Sequence, residues 1–307
     1  MMFKFKGFIF SVFLAVSGCQ LNDGIAENSR ITYSNLNSQP AQAANILSRE
    51  NSHCVVLFHG MARTPLSMKW IEKRLKKRQF LVVNQSYPSL KHSLPELVNL
   101  GYVEQGINLC EEHHAAKISF VTHSLGGLLV KDSLLSLLKQ NKFPNNIDSI
   151  VMLGPPNQGS DLVPALYSYS LVEKILNQFP STSQLIKQLS SSKNPDLGDI
   201  QNAKNEETFN YNIESNSPIK DFKVPYQLGI IAGTKTLNPI FSKLIDGPDD
   251  GKVSVQNTCS PEMVDWIAVP ENHTTLLFSS SVVKQVISFL EHHEFEQSSQ
   301  KHFNVIC

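Results

Sequence analysis

The sequence predicts an α/β fold with a mostly parallel sheet covered by helices on both faces. Short apolar runs rich in branched residues alternate with stretches of helical periodicity, which is the pattern of repeated strand–helix–strand units. The chain has 307 residues, 41% of them hydrophobic, so it is long enough to bury one large core without a second domain. The predicted strands cover residues 55–58, 80–84, 118–121, 149–153, 226–232 and 264–269.

The stretches between and after these runs predict the helices. One helix is expected over 93–114 and another over 125–138. The basic run at 69–78 places its apolar residues at helical spacing, which predicts a solvated helix with a buried stripe. A last helix, packed on the sheet by one face, is indicated by the apolar residues Val282, Val283, Val286, Ile287 and Leu290.

The residues around Ser124 predict a sharp turn between a strand and a helix. Ser124 follows the apolar run 118–121 and precedes a helical run, the setting of a nucleophilic serine whose hydroxyl is held clear of the backbone. Such a strained turn needs small neighbours, and Gly126 is one. Thr122 stands where the GxSxG pattern has its first glycine; a β-branched residue tightens the packing there without forbidding the turn. The alternative is a serine that only caps a helix.

A second motif, His59-Gly60-Met61, ends an apolar run upstream of the serine. Acyl transfer passes through a tetrahedral oxyanion, which two backbone N–H groups must stabilise. One donor comes from the residue after the serine and one from the loop after an upstream strand, so Leu125 and Met61 are the predicted donors. The alternative for His59 and Gly60 is an ordinary turn at the end of a strand.

A serine hydroxyl needs a base, and the base needs a carboxylate that orients it. Asp250 and His273 follow Ser124 in the chain order serine, acid, histidine, and each lies in a polar stretch near a predicted strand. Asp249 is the competing acid and is expected to be a turn residue or a supporting acceptor. His123, next to the serine, is expected to point away from it across the turn.

These motifs together resemble the lipase and esterase branch of the α/β-hydrolase family, which carries HG at the oxyanion loop and THSLGG or AHSLGG at the serine. In the similar lipases the acid precedes a Gly-x-Val segment, which selects Asp250 over Asp249, and the histidine follows about two dozen positions later. Here His273 follows Asp250 by 23 residues. The matching segments are 55–62, 118–130, 151–160, the turn at 250–253 and the region of His273.

The fold of this family commonly inserts a cap over the active site, and residues 160–221 interrupt the alternation of strands and helices at the corresponding place. This segment mixes apolar residues with a polar stretch, so we expect a helical cap that shields an acyl chain from water. The alternative is a helical insertion on the surface with no role at the site.

The first residues resemble a bacterial lipoprotein signal peptide. Lysines precede an apolar core too short to span a bilayer, and small residues lead to Cys19. The resemblance implies a mature protein that begins at a lipid-bearing Cys19, and Gln20 suggests the outer membrane. A secretory peptide cleaved elsewhere is the alternative. The expected organisation is a signal peptide at 1–18, a polar tether at 19–51, a hydrolase domain at 52–295 and a C-terminal tail at 296–307.

The chain has 5 cysteines, and an exported protein tolerates disulfides. Cys54, at the start of a predicted strand, and Cys110, near the end of a predicted helix, are expected to pair. Cys259 and Cys307 would then form a second bond. No Cys or His cluster has the spacing of metal ligands, so we expect neither a metal nor a cofactor.

The net charge and the pI bear on which partners the protein binds. The net charge is +0 and the pI is about 7.1, which gives no sign of nucleic-acid binding. The predicted function is hydrolysis of carboxylic esters, lipids among them, through an acyl-enzyme on Ser124. An acyltransferase using the same residues and a catalytically silent binding protein of the bacterial envelope are the alternatives. The sequence leaves the ester and the oligomeric state open.

Overall fold

The computed structural model describes residues 52–160, 224–236, 242 and 245–296. Its centre is a sheet of six strands in the order β2-β1-β3-β4-β5-β6, and every neighbouring pair is parallel. The strands are β1 (His53–Phe58), β2 (Leu81–Gln85), β3 (Lys117–His123), β4 (Ile147–Leu153), β5 (Gln227–Gly233) and β6 (Asp265–Val269). All six lie where the apolar runs predicted them.

Helices cover both faces of the sheet, as predicted. They are α1 (Lys69–Lys77), α2 (Leu94–Asn99), α3 (Tyr102–Glu112), α4 (Leu125–Lys139) and α5 (Ser280–His292), with short 3-10 turns at Pro65–Met68, Gln256–Thr258 and Thr275–Leu277. Alternate residues of β1 contribute to two separate cores: Val56 packs with residues of α2, α3 and α4, and Val55 packs with residues of α1 and α5. The fold is therefore a three-layer arrangement around a buried parallel sheet.

The helix predicted over 93–114 is wrong in one respect, because the structure divides it into α2 and α3. Gly101 adopts φ 70° and ψ 30°, a left-handed conformation that a continuous right-handed helix does not contain. Ser93 and Glu96 form a capping box at the start of α2. Helical periodicity continues across the break and hides it, so only the glycine marks it in the sequence.

The predicted bond between Cys54 and Cys110 is present and joins β1 to α3, with 5.8 Å between the Cα atoms. Both cysteines are fully buried. Cys259 is also disulfide-bonded, and its predicted pairing with Cys307 lies outside the described residues.

Several predicted segments also lie outside the described residues: the signal peptide with Cys19, the polar tether, the cap beyond Ser160 and the tail beyond Glu296. Among the described helices, none combines the length and the apolar character needed to cross a lipid bilayer.

Removal of the Cys54–Cys110 bond should lower the free energy of unfolding by about 4 kcal/mol, because the bond closes a long loop and restricts the unfolded chain. The cysteines are 56 positions apart. Urea denaturation of Cys54→Ala and of Cys54→Ala/Cys110→Ala would measure the loss. Both variants should lose similar amounts, since either one opens the loop, and a loss below about 1 kcal/mol would contradict the expectation.

Candidate active site

The predicted site residues all follow the carboxyl ends of parallel strands, which lie along one edge of the sheet. His59, Gly60 and Met61 follow β1, and Ser124 stands between the end of β3 and the start of α4. His273 lies in the loop after β6. The topology therefore brings segments that are distant in the chain to one place.

Ser124 lies on a sharp strand-to-helix turn and has a strained backbone, with φ 52° and ψ −124°. Residues other than glycine rarely adopt a positive φ, and such strain persists only where surrounding contacts impose it. The Ser124 N–H donates to the carbonyl oxygen of Leu153 at the end of β4 (2.9 Å), and the Ser124 carbonyl accepts from the N–H of Gly127 (2.9 Å). These bonds hold the turn from both sides.

Two glycines allow the end of β1 to approach this turn closely. A Cβ atom on Gly126 would lie 2.6 Å from the carbonyl oxygen of His59, and a Cβ atom on Gly60 would lie 2.7 Å from Nδ1 of His123 and 3.2 Å from Cβ of Ser124. A side chain at either position would push the two segments apart. The loop that carries Met61 therefore packs directly beside Ser124.

A third glycine compensates for the unusual Thr122. The Thr122 side chain is fully buried, and a Cβ atom on Gly127 would lie 3.2 Å from its Oγ1 atom and 3.2 Å from Sδ of Met152. The larger residue before the serine is thus accommodated by a glycine after it. This explains how the turn forms without the first glycine of the usual pattern.

The two predicted oxyanion donors have free N–H groups within the described part of the chain. Leu125 is the first residue of α4, so its N–H has no partner inside the helix. The loop around Met61 is held on both sides: the Tyr87 hydroxyl donates to the His59 carbonyl (2.6 Å), and the Ala62 N–H donates to Oγ of Ser89 (3.1 Å). These contacts fix the loop and leave the Met61 N–H unused.

Asp250 and His273 form a buried hydrogen-bonded pair. Nδ1 of His273 lies 2.6 Å from Oδ2 of Asp250, and the His273 N–H donates to the Asp250 carbonyl (2.8 Å). Oδ1 of Asp250 accepts from the backbone N–H groups of Lys252 and Val253, each at 2.9 Å. A carboxylate oxygen accepts hydrogen bonds, so this contact is formed by the tautomer of His273 that has its proton on Nδ1 and leaves Nε2 as the basic nitrogen.

Two glycines at strand ends leave the space that the Asp250–His273 pair occupies. A Cβ atom on Gly154, after β4, would lie 2.9 Å from Oδ2 of Asp250, and Gly154 has φ 55°. A Cβ atom on Gly233, at the end of β5, would lie 2.8 Å from Cβ of Asp250. Asn272 adds a local brace, because its Oδ1 accepts from the N–H groups that follow His273.

Asp249 has the role expected of the competing acid. Its Oδ1 accepts from the Gly251 N–H (2.7 Å), and its Oδ2 accepts from the hydroxyl of Ser242. Both oxygens are therefore used within the turn, and it is Asp250 that faces His273.

His123 lies inside the site, which the sequence reasoning missed. Its Nε2 donates to the His273 carbonyl (2.8 Å), and the two imidazole centroids are 4.7 Å apart. Burial, and after it the charge of His273, holds the pKa of His123 well below its usual range, so this ring is neutral at pH 7. His123 thus connects the residue before Ser124 to the loop of His273. The 150 positions between the partners leave no signal in the sequence.

His59 is a second neutral imidazole near the turn. The side chain is fully buried, its Nδ1 donates to the Gly60 carbonyl (2.9 Å), and its ring stacks on Tyr87 with centroids 4.4 Å apart. Burial is the main cause that lowers the pKa of His59 to about 4. The neutral side chain of His59 thus holds the loop in place through its contacts with Gly60 and Tyr87.

Several comparisons bear on this arrangement. The family model described as "Putative serine esterase (DUF676)" matches residues 48–153, which include the Gly60 loop and Ser124. The lipase BlEst2 of Bacillus licheniformis in its mature form is similar with a TM-score of 0.56 and 13% identity, over 79% of this chain and 92% of that chain. Its propeptide form is similar with a TM-score of 0.57 and 14% identity, over 82% of this chain and 52% of that chain. No curated protein sequence matches significantly.

The strand order and these likenesses show that the chain has the α/β-hydrolase fold. The esterase family model and the lipase neighbours support a hydrolase. Among the described residues, no group of three or more His, Cys, Asp or Glu side chains could hold a metal ion.

The buried His59 predicts a loss of stability in mild acid. Its pKa is about 4 in the folded chain and about 6.5 when exposed, so between these values the unfolded chain binds more protons. The free energy of unfolding should therefore fall as the pH drops from 6.5 to 4. His59→Asn, which keeps a donor near the Nδ1 position, should remove up to about 3 kcal/mol of that fall.

Urea denaturation at several pH values would measure the effect. His292→Asn changes an exposed imidazole at the end of α5 and serves as the control. A His59→Asn variant with the same dependence on pH as the parent would contradict the expectation.

Proposed function

We propose that this protein is a serine hydrolase of carboxylic esters in which Ser124 is the nucleophile, His273 the general base and Asp250 the orienting acid. The buried pair of Asp250 and His273, linked through His123 to the strained turn at Ser124, is the observation that carries the proposal. The esterase family model and the likeness to a lipase support the same class of reaction.

The proposed reaction uses these groups in the following order. Nε2 of His273 takes the proton from Ser124 as Oγ attacks the ester carbonyl, and Asp250 stabilises the imidazolium that forms. The oxyanion of the tetrahedral intermediate accepts from the N–H groups of Met61 and Leu125. His273 then gives its proton to the leaving alcohol. Water, activated by the same imidazole, attacks the acyl-enzyme and releases the carboxylic acid and the free serine.

Asp250 is suited to this role because its charge is stabilised by fixed dipoles. Two backbone N–H groups donate to Oδ1, and the side chain is fully inaccessible to water. These bonds stabilise the carboxylate away from water, and its Oδ2 is left to hold the imidazole. His123 keeps the backbone of His273 in place as the ring gains and loses its proton.

Ser124→Ala should lower the hydrolysis of p-nitrophenyl butyrate by at least about 10⁴-fold, because no other group supplies the nucleophile. Labelling by a fluorophosphonate probe should disappear in the same variant. Asp250→Asn should lower kcat by about 10³ to 10⁴-fold, since the imidazole would be held in the wrong tautomer.

Ser281→Ala, at an exposed position of α5, is the matched control and should retain both activity and labelling. Circular dichroism would establish that each variant is folded. Hydrolysis by folded Ser124→Ala at the parental rate would refute the assignment. An unlabelled and inactive parent would favour a silent binding protein, and transfer of the acyl group to an added alcohol in preference to water would favour an acyltransferase.

We further propose that a lipid on Cys19 anchors the protein to the outer membrane of a bacterial envelope. The proposal rests on the resemblance of residues 1–19 to a lipoprotein signal. A palmitate analogue fed to expressing cells should label the parent and not Cys19→Ala. Gln20→Asp should move the labelled protein to the inner-membrane fraction. A parent without label would contradict the anchor.

A further inference from the structure

We propose that Arg63 and Lys252 form a subsite for an anionic group, a phosphate or a carboxylate, on the ester substrate. The proposal deepens the proposed function, because it names a substrate class for the same site. Each cation belongs to a loop that carries a site residue: Arg63 follows the Met61 loop, and Lys252 follows Asp250.

Arg63 is fixed beside the site and has no acidic partner in the described part of the chain. Its Nη2 donates to the hydroxyl of Thr274 (2.8 Å), the residue directly after His273. The side chain is half-buried, and a guanidinium remains charged at any ordinary pH. Its other N–H donors have no protein acceptor among the described residues. A planar guanidinium with free donors suits phosphate and carboxylate oxygens.

Lys252 places a second cation on a loop that is bonded to the loop of Thr274, because the His273 N–H donates to the Asp250 carbonyl (2.8 Å). Its backbone is held on both sides, because the Lys252 N–H donates to Oδ1 of Asp250 (2.9 Å) and its carbonyl accepts from Oγ of Ser160 (2.7 Å). Lys252 has an exposed surface, although surrounding atoms partly desolvate its side chain. Desolvation by surrounding atoms, and then the charge of Arg63, lowers the pKa of Lys252, while Asp250 raises it. The two cations therefore act on one another.

Among the described residues, the nearby acids form no ion pair with either cation. Asp250 is engaged by His273 and two backbone N–H groups, and Asp249 by Gly251 and Ser242. Glu271, on the loop of His273, forms no ion pair with either cation. Arg63 also lowers the pKa of His59 and of His123, after burial in each case, so its charge acts on the centre of the site.

Among the described residues neither cation forms an ion pair, and the Asp250 charge that acts on Lys252 is shared with His273; an anion bound between the two cations would reduce their mutual repulsion. An ester with a phosphate or carboxylate a few bonds from its carbonyl would supply that anion. Lysophospholipids and half-esters of dicarboxylic acids share this chemistry. The subsite would favour them over neutral esters of the same length.

The test compares kcat/KM for two matched pairs of esters. Lysophosphatidic acid is compared with monoacylglycerol, and p-nitrophenyl hydrogen glutarate with p-nitrophenyl pentanoate. The parent should prefer the anionic member of at least one pair, and the larger preference identifies the anion as phosphate or carboxylate. Arg63→Gln and Lys252→Gln should each lower that preference by about 10-fold or more, the usual effect of losing a charged hydrogen bond. Arg63→Lys should keep part of it.

Lys77→Gln removes one positive charge from an exposed position of α1 and is the matched control. The preference is the ratio of kcat/KM for the anionic ester to kcat/KM for the neutral ester. A variant that loses activity equally on both esters therefore leaves this ratio unchanged. An unchanged ratio in Arg63→Gln and Lys252→Gln, or an equal loss on neutral and anionic esters, would overturn the subsite.

Direct binding separates this proposal from the proposed function. Calorimetric titration of the full chain carrying Ser124→Ala with glycerol 3-phosphate and with glutarate should show binding of at least one anion. The affinity should fall by about 10-fold when Arg63→Gln is added. Hydrolysis of neutral esters without anion binding would overturn only the subsite. Anion binding lost in Arg63→Gln, in a parent that hydrolyses no ester, would support the subsite and refute the hydrolase.

Discussion

The geometry of the site depends on the packing of the turn at Ser124 against the end of β1. Gly126 lies so close to the carbonyl of His59, and Gly60 so close to His123 and Ser124, that no side chain fits at either glycine. This contact holds the serine in a conformation that costs about 1 to 3 kcal/mol in an isolated chain. It also sets the position of the Met61 loop relative to the serine. Ser124 and the two residues proposed as oxyanion donors are therefore positioned by one packing constraint.

A second constraint comes from the loops after β5 and β6. The buried carboxylate of Asp250 is stabilised by fixed N–H groups, and it holds the imidazole of His273 by the side chain and the backbone together. His123 joins this unit to the serine turn through the carbonyl of His273. The two halves of the site thus share a residue at the end of β3, although they come from opposite ends of the described chain. A movement of either half would be opposed by the other.

The sequence predicted the parts of the structure that have a local signal. Apolar runs marked all six strands, and the residue pattern singled out Asp250 and His273, which form a hydrogen-bonded pair. The break between α2 and α3 was missed because helical periodicity continues through it, and only the left-handed Gly101 ends α2. The contacts of His123 with His273 and of Arg63 with Thr274 span 150 and 211 positions. Such pairs meet only through the order of the strands in the sheet, which the residue patterns do not encode.

The distribution of charge in the site follows from which groups are buried. His59 and His123 are desolvated and remain neutral, so neither adds a positive charge beside Arg63. The Asp250 carboxylate is buried, and its oxygens are bonded to His273 and to the backbone N–H groups of Lys252 and Val253. The net positive charge is therefore confined to Arg63 and Lys252. Because Lys252 is exposed and Arg63 is half-buried, both charges are at least partly accessible to an anionic group, which can bind them without replacing the contact between Asp250 and His273.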